Sequence, residues 1–255
     1  MKNKIGLLLM LIGTYSGSVS LSAVVLANEQ ISKPSIAEHT QQERLKNRVS
    51  QAISQFEQTP LAEWSYHVSR YENEEGDISS SSEQFTPNPA RVGQWSLLEI
   101  NGGKPTEKQA RKFTDSKSNK HSGGITLKLR ELIQLDSLQH HFESEGSLHA
   151  EFNVHLDKLG DKASKQLKGS LKFNKTQQFI EVIEIINIAP FSPAFSAKIS
   201  DFKLALSFYK IDNAILPHQQ SLNMKGNFAF FTEIDEKSID TYSNYQYIGQ
   251  LEPAN

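Results

Sequence analysis

The apolar positions of this chain fall into two rhythms. Leu45, Val49, Ala52 and Phe56 recur at steps of four, three and four, which lines one face of a helix. An amphipathic helix is expected over 38–57, ending at Thr59-Pro60 because proline restricts the residue before it and rarely continues a helix. From Trp64 the period drops to two. Trp64, Tyr66 and Val68 alternate with Ser65, His67 and Ser69, the pattern of a strand with one buried face. The acidic stretch 72–77, with Gly76, turns it into a second strand over 79–85, which ends at Pro87 and Pro89. A third strand over 94–100 ends at Asn101-Gly102-Gly103.

Thr106-Glu107-Lys108-Gln109 then has the spacing of a capping box, in which the Thr106 hydroxyl accepts from the Gln109 backbone N–H. A short helix to about Phe113 is expected there, followed over 115–124 by a polar, aperiodic surface loop. The next hairpin has a register that the pattern selects. With Glu145-Gly146-Ser147 as a three-residue loop, Phe142 faces Ala150, His140 faces Phe152 and Leu138 faces Val154. The other side then pairs Glu143 with His149 and His141 with Glu151, whereas a two-residue loop places Phe142 opposite a polar residue.

Residues 169–173 and 179–186 make another pair. The second run has apolar doublets that fit a helical period, but its β-branched content and missing cap favour a strand with a bulge. Phe202, Leu204, Leu206 and Phe208 share one face of a strand over 200–211, and Leu222, Met224, Phe228, Phe230 and Ile234 share one face of a strand over 222–234. A last strand covers 242–248. About ten antiparallel strands with few helices give a mainly β (α+β) fold, a strongly curved antiparallel sheet or half-open β-barrel covered by one or two helices. No repeat or interior linker divides 38–255, which is expected to be a single domain.

The first residues change the picture of where this domain works. Lys2 and Lys4 precede an apolar run, Ile5 to Ile12, and small residues lead to Val25-Leu26-Ala27, the layout of a signal peptide cut after residue 27. Residues 28–37 then form a flexible leader. The apolar run is well short of the roughly 20 residues that span a bilayer. There is no cysteine, which rules out a lipid-modified cysteine, disulfides and thiolate metal sites. The expectation is a soluble periplasmic protein, exported by a cleavable signal and neither a lipoprotein nor integral to the membrane. Charge is balanced, 27 Lys and Arg against 29 Asp and Glu, without a basic block, so nucleic acid is not an expected partner.

Candidate chemistry is sparse. His141, Glu143, His149 and Glu151 share a strand face that is either a metal-ligating set or a solvated face with cross-strand ion pairs. Motifs of the G-x-S-x-G and H-E-x-x-H types are absent. Ser200 and Lys203 fit S-x-x-K only in a strand, which puts them on opposite faces. No phosphate-cradling loop occurs, so an enzyme is not expected and no cofactor is implied. The apolar pattern stands out instead, with 14 Phe against 2 Trp. Trp64, Tyr66, Phe202, Leu204, Leu206, Phe208, Met224, Phe228 and Phe230 are the candidate ligand-binding residues, lining either a filled core or a cavity for an apolar ligand. The apolar loop Phe191-Ser-Pro-Ala-Phe195 either folds over the sheet edge or forms a mouth or docking patch, and in the second case Phe191 and Phe195 are the candidate partner-docking residues, because exposed apolar patches often mark interaction sites.

Trp95-Ser-Leu-Leu-Glu-Ile-Asn-Gly with Lys104-Pro105-Thr106, the Phe191–Phe195 loop, Leu216-Pro217, Gly226-x-Phe228 and Tyr242-Ser-Asn-Tyr245 resemble secreted members of the lipoprotein-carrier (LolA-like) superfamily of bacterial periplasmic proteins. The resemblance covers roughly 64–249. It implies a half-open barrel lidded by helices, whose interior accepts the acyl chains of lipoproteins or other amphiphiles. The leading expectation is therefore a non-enzymatic periplasmic binding protein with an apolar or amphiphilic ligand on its Phe-rich concave face. The alternatives are an envelope protein-interaction or sensing module with a filled core, and a metal-assisted hydrolase using the His141 and His149 face.

Overall fold

The computed structural model describes residues 36–88, 91–118, 128–156, 159–194, 196–229 and 232–249. The expected signal peptide and all but the last two residues of the leader lie outside these. Ile36 and Ala37 instead open the first helix, α1 (Ile36–Gln58). It buries Leu45, Val49, Ala52 and Ile53, the stripe that the spacing predicts plus its neighbour Ile53. Phe56 packs edge-on against Phe208, with ring centroids 5.0 Å apart. After the helix, the Thr59 hydroxyl donates to the Gln55 carbonyl and accepts from the Ile215 N–H, which fastens the turn to the sheet.

The strands are β1 (Trp64–Glu74), β2 (Asp77–Asn88), β3 (Arg91–Ile100), β4 (Gln139–Ser144), β5 (Ser147–Asn153), β6 (Leu167–Asn174), β7 (Phe179–Asn187), β8 (Phe191–Ala194), β9 (Ala197–Ile211), β10 (Ala214–Phe228) and β11 (Thr232–Tyr247). Three shorter helices are α2 (Glu107–Ser118), α3 (Leu129–Leu132) and α4 (Gly160–Ser164). All strands join one antiparallel sheet in the order β3-β2-β1-β11-β10-β9-β7-β6-β5-β4, with β8 on β9. The sheet is large, curved and not closed, which is the fold class the pattern predicts.

Three local expectations need correction. The run 222–234 is not one strand, because the chain reverses around Ala229, whose φ is 51°, so Gly226 pairs back with Ile234. The loop at Glu145-Gly146 has two residues, with Ser144 opposite Ser147, and the shift is absorbed by a bulge at His141 that sets Phe142 opposite His149. The two rings stack at 4.1 Å, so Phe142 lies on the outer face, 47% exposed. A bulge can re-phase a strand in this way without leaving a mark in the alternation. Finally, α2 runs past Phe113 to Ser118. The bulge expected in the doublet strand is present at Glu181 of β7, the extra residue between the pairs Lys172–Val182 and Phe173–Ile180.

The main core lies between α1 and the inner faces of β5, β6, β7, β9 and β10 and includes Phe152, Phe173, Ile183 and Ile185. Gly169 makes room in it: a Cβ there would lie 2.2 Å from the Phe152 ring. A second cluster gathers Trp64, Tyr66, Val68, Phe85, Leu216 and Tyr242, with Trp95 and Tyr245 against it. The register Arg70–Asp240–Gln220–Leu206 across β1, β11, β10 and β9 carries one face from the second cluster to the first, since directly opposed residues share a face. Leu206 belongs to the core that α1 covers, and Arg70 lines the space beneath α2. Both helices therefore lie on the same side of the sheet.

Candidate functional site

On β1 the inward positions run Trp64, Tyr66, Val68, Arg70, Glu72 and Glu74, so one face changes from aromatic to charged along a single strand. The neighbours change in step. Opposite them stand Phe85, Glu83, Ser81 and Ser79 of β2 and Tyr242, Asp240, Ser238 and Glu236 of β11. Burying these charges is costly unless they are paired, and most of them are. Arg70 Nε donates to Glu83 Oε1 at 2.9 Å, and its Nη1 donates to Asp240 Oδ2. Burial disfavours the Arg70 cation, but Asp240 and Glu83 more than offset this and its pKa is raised. For Asp240, burial outweighs the attraction of Arg70 and lifts its pKa above the usual carboxylate value.

Helix α2 closes over this end. Asn101 and Gly102, both with positive φ, turn the chain after β3, and Ile100 pairs with Gly103. The capping box is present as expected: the Thr106 N–H donates to Gln109 Oε1 at 2.8 Å, and the Gln109 N–H donates to Thr106 Oγ1 at 3.3 Å. Phe113 and Lys117, four residues apart, point down from one face of α2. Lys117 Nζ sits 4.5 Å from the centre of the Trp95 ring and donates to Glu83 Oε2 at 2.9 Å. Glu83, 3% exposed, thus bridges the helix cation to the strand cation.

Between α2 and strands β1–β3 there remains an open cleft of about 460 Å³. Leu97, Ile100 and Phe113 give it an apolar side, and Arg70, Glu72 and the hydroxyls of Ser79 to Ser81 a polar one. Opposite Glu74 and outside the residues that line the cleft lies a carboxyl of unusual standing. Glu236 is 7% exposed, and its Oε1 has no hydrogen-bond partner. Burial first, then Glu74 and Glu72, push its pKa up to about 7.

The residues singled out from the sequence do not form one site. Phe202, Leu204, Leu206, Phe208 and Met224 are all buried in the core under α1, where Phe208 meets Phe56 and Phe202 meets Phe191. Trp64 and Tyr66 belong to the separate aromatic cluster. Trp64 also lines a surface groove of about 550 Å³ beside Pro60, Ala214 and Tyr247. Phe228 ends β10, 39% exposed, and Phe230 and Phe195 lie outside the described residues. Phe191 is 5% exposed because it pairs onto β9 and packs inward, and Ile188, 63% exposed, is the open apolar residue just before it.

The polar candidates are also dispersed. His141 Nδ1 is 4.0 Å from Glu151, and His149 is stacked on Phe142. Among the described residues no group of three or more His, Asp or Glu side chains could hold a metal ion. Ser200 donates to the Lys225 carbonyl, and Lys203 pairs with Glu184 at 2.6 Å. Pattern reading missed Arg70, Glu83 and Asp240. The available signal was that Arg70 and Glu83 fall on the inward phase set by Val68 and Phe85.

No family model matches the chain, and no curated protein matches it. Among solved structures, a DUF1329 family protein from Desulfovibrio piger ATCC 29098 is similar at 14% identity over 84% of this chain and 95% of that one, with a TM-score of 0.35. MucB in complex with MucA(peri) is similar at 8% identity over 79% and 93%, with a TM-score of 0.23. The MucA/MucB complex of Pseudomonas aeruginosa is similar at 8% identity over 80% and 94%, with a TM-score of 0.22.

Proposed function

We propose that this chain is a non-enzymatic periplasmic binding protein that holds an apolar or amphiphilic ligand, such as a lipid or acyl chain, in the cleft between α2 and β1–β3. One observation carries the reading: the open space of about 460 Å³ has an apolar side of Leu97, Ile100 and Phe113 and a charged and hydroxylated side, a division that suits a molecule with a tail and a polar head. The Phe-rich face, by contrast, has its side chains engaged with α1. The ligand site therefore moves from the middle of the sheet to its β1–β3 end. The open curved sheet with helices on one side agrees with the fold that the LolA-like resemblance implies.

The test is uptake of a brominated fatty acid by the detergent-free protein, read as quenching of Trp95 fluorescence in a Trp64→Phe background. Saturable quenching that is lost in Leu97→Asp and Phe113→Asp supports the cleft. Absence of quenching, together with native mass spectra free of any amphiphile from the periplasm, overturns it. The well-filled core under α1 favours a second reading, an envelope protein-interaction module with Ile188 in its docking patch. In that case the same spectra show a protein adduct that Ile188→Asp abolishes.

A further inference from the structure

Resting on the cleft reading above, we infer that the ligand's head group is an uncharged polyol, such as a glycerol or sugar unit, recognised by the side-chain amides of Asn101 and Gln109. The argument begins with the charges in the cleft wall, most of which are matched within the protein. Glu83 accepts from Arg70 at one oxygen and from Lys117 at the other, and Asp240 accepts from Arg70 as well. Of the charged residues that line the space, this leaves Glu72 on β1 and Lys112 on α2. An ionic head group of either sign therefore meets one like and one unlike charge, and gains no net attraction from the lining.

The lining does offer neutral hydrogen bonding. Asn101 and Gln109 both border the cleft, and the backbone sets the orientation of each amide. Asn101 Oδ1 accepts from the Ser80 N–H at 2.8 Å. Gln109 Oε1 accepts from the Thr106 N–H at 2.8 Å and from the Thr106 hydroxyl at 2.7 Å. Each oxygen is thus engaged, while each NH2 group, a double donor, has no partner among the described residues.

Hydroxyls supply the complementary half. Ser116 donates to the Phe113 carbonyl at 2.7 Å, and Ser79 and Ser81 donate long contacts to Glu72 and Glu83, at 3.5 and 3.4 Å. The lone pairs of these three hydroxyls, which also line the space, are left to accept from an incoming O–H. Fixed amide donors beside hydroxyl acceptors match a head group whose oxygens both accept and donate, as those of a polyol do. A carboxylate brings no donor, and an ammonium brings no acceptor. Leu97, Ile100 and Phe113 are left for the tail.

Four amphiphiles with one tail separate the head group from the cleft: dodecyl glyceryl ether, dodecanol, dodecanoate and dodecylammonium, titrated calorimetrically below their micelle concentrations into the full chain. Two added hydrogen bonds of ordinary strength should make the glyceryl ether the tightest, by roughly tenfold over each of the others. Asn101→Asp and Gln109→Glu keep the oxygen that each residue offers to the backbone and replace only the NH2 group, so the turn and the capping box are retained. Each should remove most of the glyceryl preference and leave dodecanol binding unchanged. Equal binding of all four, a preference for either ion, or a glyceryl preference that survives both substitutions overturns the head-group assignment and leaves the cleft standing. If none of the four binds, the cleft reading fails and this inference fails with it.

Discussion

Two helices lie on one face of one sheet, held there by different physics. Helix α1 lays Leu45, Val49, Ala52 and Ile53 into a dry core, and its polar contacts, such as Lys46 with Asp136, are at the surface. Helix α2 rests on β3 through Phe113 and Lys117, over a layer of paired charges with open space beside it. Apolar contact is non-directional and fills whatever volume is there, so the α1 half is closed. Paired charges demand fixed geometry and pack less completely, so the α2 half keeps a cleft. One half supplies stability, and the other keeps chemistry available.

The largest expected effect tests that division directly. Ile53→Asp places an unpaired charge in the α1 core and should cost more than about 4 kcal/mol, enough to remove the folded state in urea titrations. Phe113→Asp makes the same kind of change on α2 and should cost less than about 1 kcal/mol, as for a partly exposed position, while abolishing ligand uptake. Equal losses at the two sites would mean that α2 is as much a part of the core as α1.

A smaller effect probes the charged layer. Arg70→Met leaves Glu83 and Asp240 facing each other with only Lys117 to balance them, and should cost about 3 kcal/mol. Replacing the acid as well, in Arg70→Met with Asp240→Leu, should recover most of that loss. If the double variant is no better than the single one, the layer is held by packing and not by charge.

The smallest effect is a gain. The folded pKa of Glu236 is about 7 against an ordinary value of 4.5, so the folded state binds its proton more tightly than the unfolded one. That contribution is full below the ordinary value and is lost as pH rises through about 7. The wild type should lose roughly 2 kcal/mol between pH 5 and pH 8 from this group, at about 1.4 kcal/mol per unit and discounted for partial solvation. Glu236→Gln should flatten the profile and be the more stable protein at pH 8, as read by urea midpoints at several pH values.

The α1 half was legible in the sequence and the α2 half much less so. The Leu45, Val49, Ala52 and Phe56 stripe and the alternation of Phe202 to Phe208 are local patterns, and burial obeys them. The Thr106 to Gln109 box is also local, and both of its hydrogen bonds form. Arg70, Glu83 and Asp240, however, come from three strands, and only the register of β1 with β2 and β11 brings them together. Nor does a face marked as apolar say what fills it, which is why Phe208 looked available for a ligand when Phe56 already occupies that space. The hairpin at Glu145-Gly146 was misplaced because a single bulged residue compensates for the shorter turn.

The sheet order has a consequence for how the molecule comes into being. β1 lies between β2 and β11, and Trp64 pairs with Tyr247, so the cleft half is completed by the last strand described. As the chain emerges, β4 to β10 can assemble with α1 while β1 to β3 wait, with an unpaired strand edge open to aggregation or to a chaperone. Such distant pairing is slow to form. The cleft half is thus expected to be the late-maturing half, with β1 lacking one of its two neighbours until β11 docks.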